Sequence, residues 1–69
     1  MPLQEKVYFV EDYVLFRDKV LKLAFSLRKI VIFKYIGFIP EESKYKVVLL
    51  AEPELFGYIE QLLREGQLK

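Results

Sequence analysis

Ser26 and Ser43 are the only aliphatic hydroxyls in this 69-residue chain, and there is no Cys, Thr or His to join them. A serine nucleophile needs a neighbouring base to take its proton. With no imidazole in the chain, both serines read as solvated surface residues, Ser26 on the polar side of a helix and Ser43 in a turn. The acidic pairs Glu11–Asp12, Glu41–Glu42 and Glu52–Glu54 could in principle do acid–base work. Each lies beside a turn or a helix start, where carboxylates are favoured for local reasons. An oxygen-ligated metal would need acids converging from separate elements, and the sequence does not bring them together. Gly37, Gly57 and Gly66 are isolated and match no phosphate-binding fingerprint. Nothing here calls for a catalytic residue, a cofactor or a metal ligand, and the expected class is non-enzymatic.

The basic residues offer two further constellations. Arg17 and Arg28 fall on one helix face about three turns apart. Guanidinium groups could there grip an anion or an acidic partner. The simpler reading has them snorkel, stems on apolar surface and heads in water. Lys6, Lys34 and Lys46, with Tyr8 and Phe38, could line an open sheet in the manner of sheet-type RNA-binding domains. That mode needs aromatics on both central strands, and here aliphatics fill most of those positions. A net charge of +1, from eleven basic and ten acidic residues, also argues against electrostatic capture of nucleic acid or anionic lipid.

The length bounds the rest. Sixty-nine residues make one small domain, and a chain of this size buries only about 60% of the surface it exposes when unfolded. Disulfide and thiolate-metal staples are excluded by the absence of Cys. Dense packing or association with another chain must compensate, and a hydrophobic content of 54% serves both. The apolar tracts are interrupted by Arg28, Lys29 and Lys34, short of a membrane span. "MPLQEKVYFV" lacks the pattern of a signal peptide. A cytoplasmic location is expected. The shortage of Asn, Thr and Cys beside abundant Lys and Glu fits a thermophilic source.

The elements follow from periodicity. Lys6–Val10 is β-branched and aromatic and reads as a strand. Asp12 suits a helix N-cap. From Tyr13 to about Lys29 the period is helical, with Tyr13, Phe16, Val20, Leu23, Ala24 and Leu27 on one stripe. Val14, Leu21 and Phe25 form a second apolar stripe. Ile30–Ile39 reads as a strand ended by Pro40, and Lys44–Ala51 as its hairpin partner. Pro53 opens a second helix that Gly66 closes, with Leu55, Phe56, Ile59, Leu62 and Leu63 on its apolar face. Gly57 inside it marks either close packing or a weak spot.

The resulting order, β-α-β-β-α, is an α+β arrangement: a three-stranded, largely antiparallel sheet with two helices on one face. It resembles the first five elements of the ferredoxin-like, split β-α-β arrangement. It is also similar to small ACT-type regulatory modules over roughly residues 6 to 65. The resemblance implies a dimerising regulatory or scaffolding module without catalysis, with the third strand between the first two. Two features depart from the ACT pattern. "VEDY" lacks the glycine that seats an amino-acid ligand, and "QLK" after Gly66 is too short for a fourth strand. No ligand residues are carried over.

Two helices on one face leave the other face bare, and the outer edge of the first strand unpaired. Between Ile30 and Ile39 every residue except Lys34 and Gly37 is apolar or aromatic, so the second strand does not alternate as a one-sided strand should. Keeping Lys34 out of the core turns Ile30, Ile32, Ile36 and Phe38 outward and Val31, Phe33, Tyr35 and Ile39 toward the helices. That choice requires an odd loop count or a bulge in the hairpin, with Gly37 as a natural bulge site. The opposite parity exchanges the two sets. With Tyr8, Val10, Val48 and Leu50 added, the bare face is apolar either way. The expected function is therefore a homo-oligomeric interaction or regulatory module, a homodimer or higher. Its contact is expected through Tyr8, Val10, Ile32, Ile36, Phe38, Val48 and Leu50, through the first-strand edge, or through both. Val14, Leu21 and Phe25 are a candidate second contact, and Arg17 with Arg28 a candidate anion contact. The alternatives are a nucleic-acid binder using Lys6, Lys34 and Lys46, and an enzyme subunit completed by another chain.

Overall fold

The computed structural model describes residues 2–66. Its elements are β1 (Gln4–Val10), α1 (Tyr13–Leu27), β2 (Val31–Ile39), β3 (Lys44–Ala51) and α2 (Pro53–Arg64). The strands form one antiparallel sheet in the order β1-β3-β2. The order β-α-β-β-α and the central place of β3 match the expectation. The tail after Gly66 lies outside the described residues. Among those residues no helix is long and apolar enough to cross a membrane.

Local chemistry sets the helix ends. Asp12, in extended conformation, accepts a hydrogen bond from the Leu15 N–H at 3.0 Å and so caps α1. At the other end Arg28 adopts the left-handed conformation, φ 55° and ψ 44°. The Lys29 N–H then turns back to the Ala24 carbonyl at 2.9 Å. The helix therefore stops at Leu27 and not near Lys29. Pro53 begins α2, where its missing N–H costs nothing. Gly66, at φ 77°, ends the last turn through its N–H to the Leu63 carbonyl.

Both helices cover one face of the sheet. Phe16, Val20 and Ala24 of α1 and Leu55, Phe56 and Ile59 of α2 are buried against Tyr8, Val10, Val47, Leu49 and Ala51. The stripes read from sequence are the ones used, because a 3.6-residue period admits only one facing set. Tyr8 packs on Phe16 and Phe56 with ring centroids 5.6 and 6.4 Å away.

Two strand parities differ from expectation. In β1, Tyr8 and Val10 belong to the core, at 9% and 1% exposure, while Val7 and Phe9 face away from the helices. The register is decisive. Tyr8 pairs with Val47, a helix-facing residue, and directly opposed residues share a face. In β2 the bulge falls at Lys34, between Phe33 and Tyr35, and not at Gly37. An extra residue there reverses the alternation partway along the strand. Val31 and Phe33 pair with Ala51 and Leu49 on the helix side. Beyond the bulge Ile36 and Phe38 pair with Val47 and Tyr45 and stay on that side. Ile36, placed on the bare face from sequence, thus packs on the core. Phe38 meets Tyr45 in a tilted ring contact, centroids 5.0 Å apart, at the rim of the helix side. Tyr35 and Ile39, assigned to the core by the preferred parity, lie on the bare face through their pairs Val48 and Lys44. The bulge solves a composition problem: it keeps Lys34 in water while both halves of a continuous apolar strand supply the core. Ile30 precedes the strand and is exposed.

Candidate functional site

The helix-free face is built in rows across the three strands. One row runs Glu5, Leu50, Ile32; the next Val7, Val48, Tyr35; the third Phe9, Lys46, Gly37. Val7, Phe9, Ile32 and Tyr35 are exposed large apolar or aromatic groups, about half open to water. Leu50 and Ile39 are half-buried. Val48 is only 9% exposed although no layer covers it, because Val7 and Tyr35 flank it in register. The Tyr35 ring lies over Gly37, where a methyl would stand 2.6 Å from Cζ. A side chain at position 37 would displace this ring.

One ion pair crosses this face. Lys34, raised by the bulge, reaches Glu5 with Nζ–Oε1 at 2.8 Å. Lys46 forms no ion pair among the described residues. Lys6 is on the opposite face, 2.7 Å from Glu60 and 5.5 Å above the Phe56 ring. The three lysines read together from sequence are therefore split between two faces, and Tyr8 and Phe38 are not on the bare face with them. Of the seven candidate contact residues, Ile32, Val48 and Leu50 lie on that face. Tyr8, Val10 and Ile36 lie in or against the core, and Phe38 lies at the helix-side rim.

Beneath the sheet a polar group sits at the core margin. The Tyr8 hydroxyl donates to Glu60 Oε2 at 3.4 Å, and the Lys6 ammonium donates to the same oxygen. Burial, then the Glu60 charge and this hydrogen bond, push the Tyr8 phenol well above its ordinary range. Lys6, by hydrogen bond and charge, holds the Glu60 carboxyl below the usual carboxylate range.

The remaining candidates are scattered over the fold. Glu52 precedes α2 but does not cap it with its side chain. Its carboxylate accepts from the Ile30 N–H at 2.7 Å, and its own N–H donates to the Ile30 carbonyl. Glu54 lies 3.2 Å from Lys29, whose pKa its hydrogen bond and charge raise. Glu41 and Glu42 stay in the exposed hairpin turn with Ser43. Ser26 is exposed on α1. Arg17 pairs loosely with Asp18 at 3.5 Å. Arg28 has left the helix, so the two guanidinium groups do not share a helix face. Val14, Leu21 and Phe25 are exposed on α1, Phe25 at 87%. The described residues enclose no cavity, and no three acidic side chains among them converge on a point.

Sequence reasoning missed Val7 and Phe9 on the bare face and placed Tyr35 there only under the opposite parity. The sequence carries no signal for the first two: Val7 and Phe9 are as apolar as Tyr8 and Val10, and the exposed pair of Lys34 with Glu5, which shares their parity, is too weak to set the strand's facing.

Comparison of the chain with protein-family models, with curated proteins and with solved structures finds no match.

Proposed function

We propose that this chain is a non-enzymatic interaction module that associates with a second copy of itself through the helix-free face of its sheet. The observation that carries this reading is the cluster of Val7, Phe9, Ile32 and Tyr35, exposed together around Val48 and Leu50. Contiguous apolar patches of this kind mark partner surfaces. Two charges on this face, Glu5 and Lys34, already satisfy each other at 2.8 Å within the chain. Sheets stack face to face about 10 Å apart with strands near 30°, a geometry open to a bare three-stranded layer. The strand order and the placement of both helices further support a ferredoxin-like reading, with a regulatory or scaffolding role.

Full burial of such side chains contributes about 1.5–3 kcal/mol each. Four half-exposed ones in each of two copies then contribute roughly 6–12 kcal/mol. Association costs about 4–15 kcal/mol. The face alone therefore supports a concentration-dependent contact. The test is molar mass by light scattering for the parent and for Ile32→Glu combined with Tyr35→Glu. Both positions are exposed, so the variant keeps its helical circular dichroism. A lower mass for the variant is the expected outcome, and an equal mass would overturn the reading.

A second reading places single-stranded nucleic acid on the same face, where Phe9 adjoins Lys46 in register. Stacking on Phe9 and Tyr35 would be its basis. With Lys34 already paired and Lys6 on the other face, we expect no binding of oligonucleotides even at low salt, which a salt titration checks.

A further inference from the structure

The sheet has two lateral edges, and they differ. In β2 the bulge at Lys34 interrupts the ladder between Phe33 and Tyr35. A bulge carrying a charge is a common guard against edge-to-edge pairing. β1 has no such guard. Its residues Gln4–Val10 pair one for one with β3 and include no proline or glycine. Its outer side offers a regular row of backbone N–H and C=O groups. The two charges it carries are already neutralised, Glu5 by Lys34 and Lys6 by Glu60.

We propose that β1 is a self-pairing edge. Two copies join antiparallel about a two-fold axis at Val7, normal to the sheet, to give one continuous six-stranded sheet. The register follows from the strand itself. Centring on Lys6 would set two lysines opposite each other, and centring on Tyr8 would set Glu5 against Glu11 of the second copy. Like charges directly opposed destabilise a pair. Centring on Val7, the midpoint of the strand, avoids both and matches its full length. It also sets Lys6 opposite Tyr8 of the second copy, the residue whose hydroxyl lies on Glu60. Each ammonium then borders the other copy's carboxylate, twice by symmetry. Pairing of this kind keeps both bare faces on one side, so it is a contact separate from the face contact and does not depend on it.

The experiment starts from Ile32→Glu with Tyr35→Glu, whose changes are remote from the β1 edge. With face and edge contacts both in use the parent is larger than a dimer, and we expect this variant to fall in mass by light scattering but to stop at a dimer held by the β1 edge. Isotope-filtered NMR on a mixture of labelled and unlabelled copies should show intermolecular backbone contacts between Lys6 and Tyr8. Adding Val7→Lys places two ammonium groups on the axis. It should weaken the dimer about tenfold while circular dichroism stays unchanged. A folded monomer for the face variant would overturn edge pairing and leave the face reading standing. Unchanged mass with edge contacts present would overturn the face reading and support the edge. A monomeric parent at millimolar concentration would overturn both.

Discussion

Lys34 Nζ lies 2.8 Å from Glu5 Oε1, tying the two outer strands to each other over the central strand on the face that no helix covers. The link exists because the β2 bulge lifts Lys34 and the β1 register turns Glu5 to the same side. Both side chains are about half exposed, and such pairs contribute little in water. At concentrations low enough to keep the chain monomeric, a double-mutant cycle on Glu5→Gln and Lys34→Gln should give a coupling below about 1 kcal/mol. The coupling should fade in high salt. A coupling of several kcal/mol would show that the pair is shielded from solvent, as it would be inside an assembly.

Tyr8 and Glu60 give a signed pH dependence. The Tyr8 phenol has a folded pKa raised above its ordinary value of 10.0, chiefly by burial. Such a group contributes stability fully present below pH 10 and lost as pH rises above it, because the unfolded chain releases the proton first. Lys29, held protonated by Glu54, acts in the same alkaline window. Denaturant titrations above pH 10 should show stability falling less steeply in Tyr8→Phe than in the parent. Identical slopes would mean that the phenol ionises freely. Glu60 runs the other way. Its pKa is lowered by Lys6, so its contribution is present above the ordinary 4.5 and lost as pH falls through the lowered value. Lys6→Met should flatten that acid limb.

Arg28 and Ser43 hold φ of 55° and 54°. A side chain in the left-handed region costs about 1–2 kcal/mol, partly offset for glycine by its freer unfolded state. Arg28→Gly and Ser43→Gly should each stabilise the fold by about 0.5–1 kcal/mol. For a domain of this size that corresponds to a few degrees in Tm. Destabilisation by Arg28→Gly would mean that the guanidinium makes a contact of its own.

Gly57 sits inside α2 with nothing within 4 Å of where a Cβ would stand. The close-packing explanation for this glycine is thereby removed, and the weak-spot reading remains. Gly57→Ala should raise stability by about 0.5–1 kcal/mol, the ordinary difference in helix propensity, measured as an increased denaturant midpoint at constant m-value.

Much of the architecture is legible from local pattern. The α1 stripe of Phe16, Val20 and Ala24, the Asp12 cap, Pro53 and Gly66 each act within a turn or two of chain, where the 3.6-residue period and capping chemistry leave few choices. The β3 parity was also readable, because Lys44 and Lys46 alternate with Tyr45 and Val47. That one sheet face would be apolar and uncovered followed from counting helices.

Which residues occupy that face was a different matter. In β1, Val7 and Phe9 are as apolar as Tyr8 and Val10, so alternation carries no preference; the choice came from pairing with Val47 and from Glu60 on a helix some fifty residues away. In β2 the apolar run is continuous, and a bulge at Lys34 and one at Gly37 are equally compatible with it. Only the simultaneous fit of Phe33 on Leu49 and Ile36 on Val47 selects Lys34. Composition and periodicity alone determined that this chain makes five elements and leaves one sheet face bare. The tertiary structure decided which side chains that face presents, because strand parity is set by cross-strand partners that a single strand does not encode.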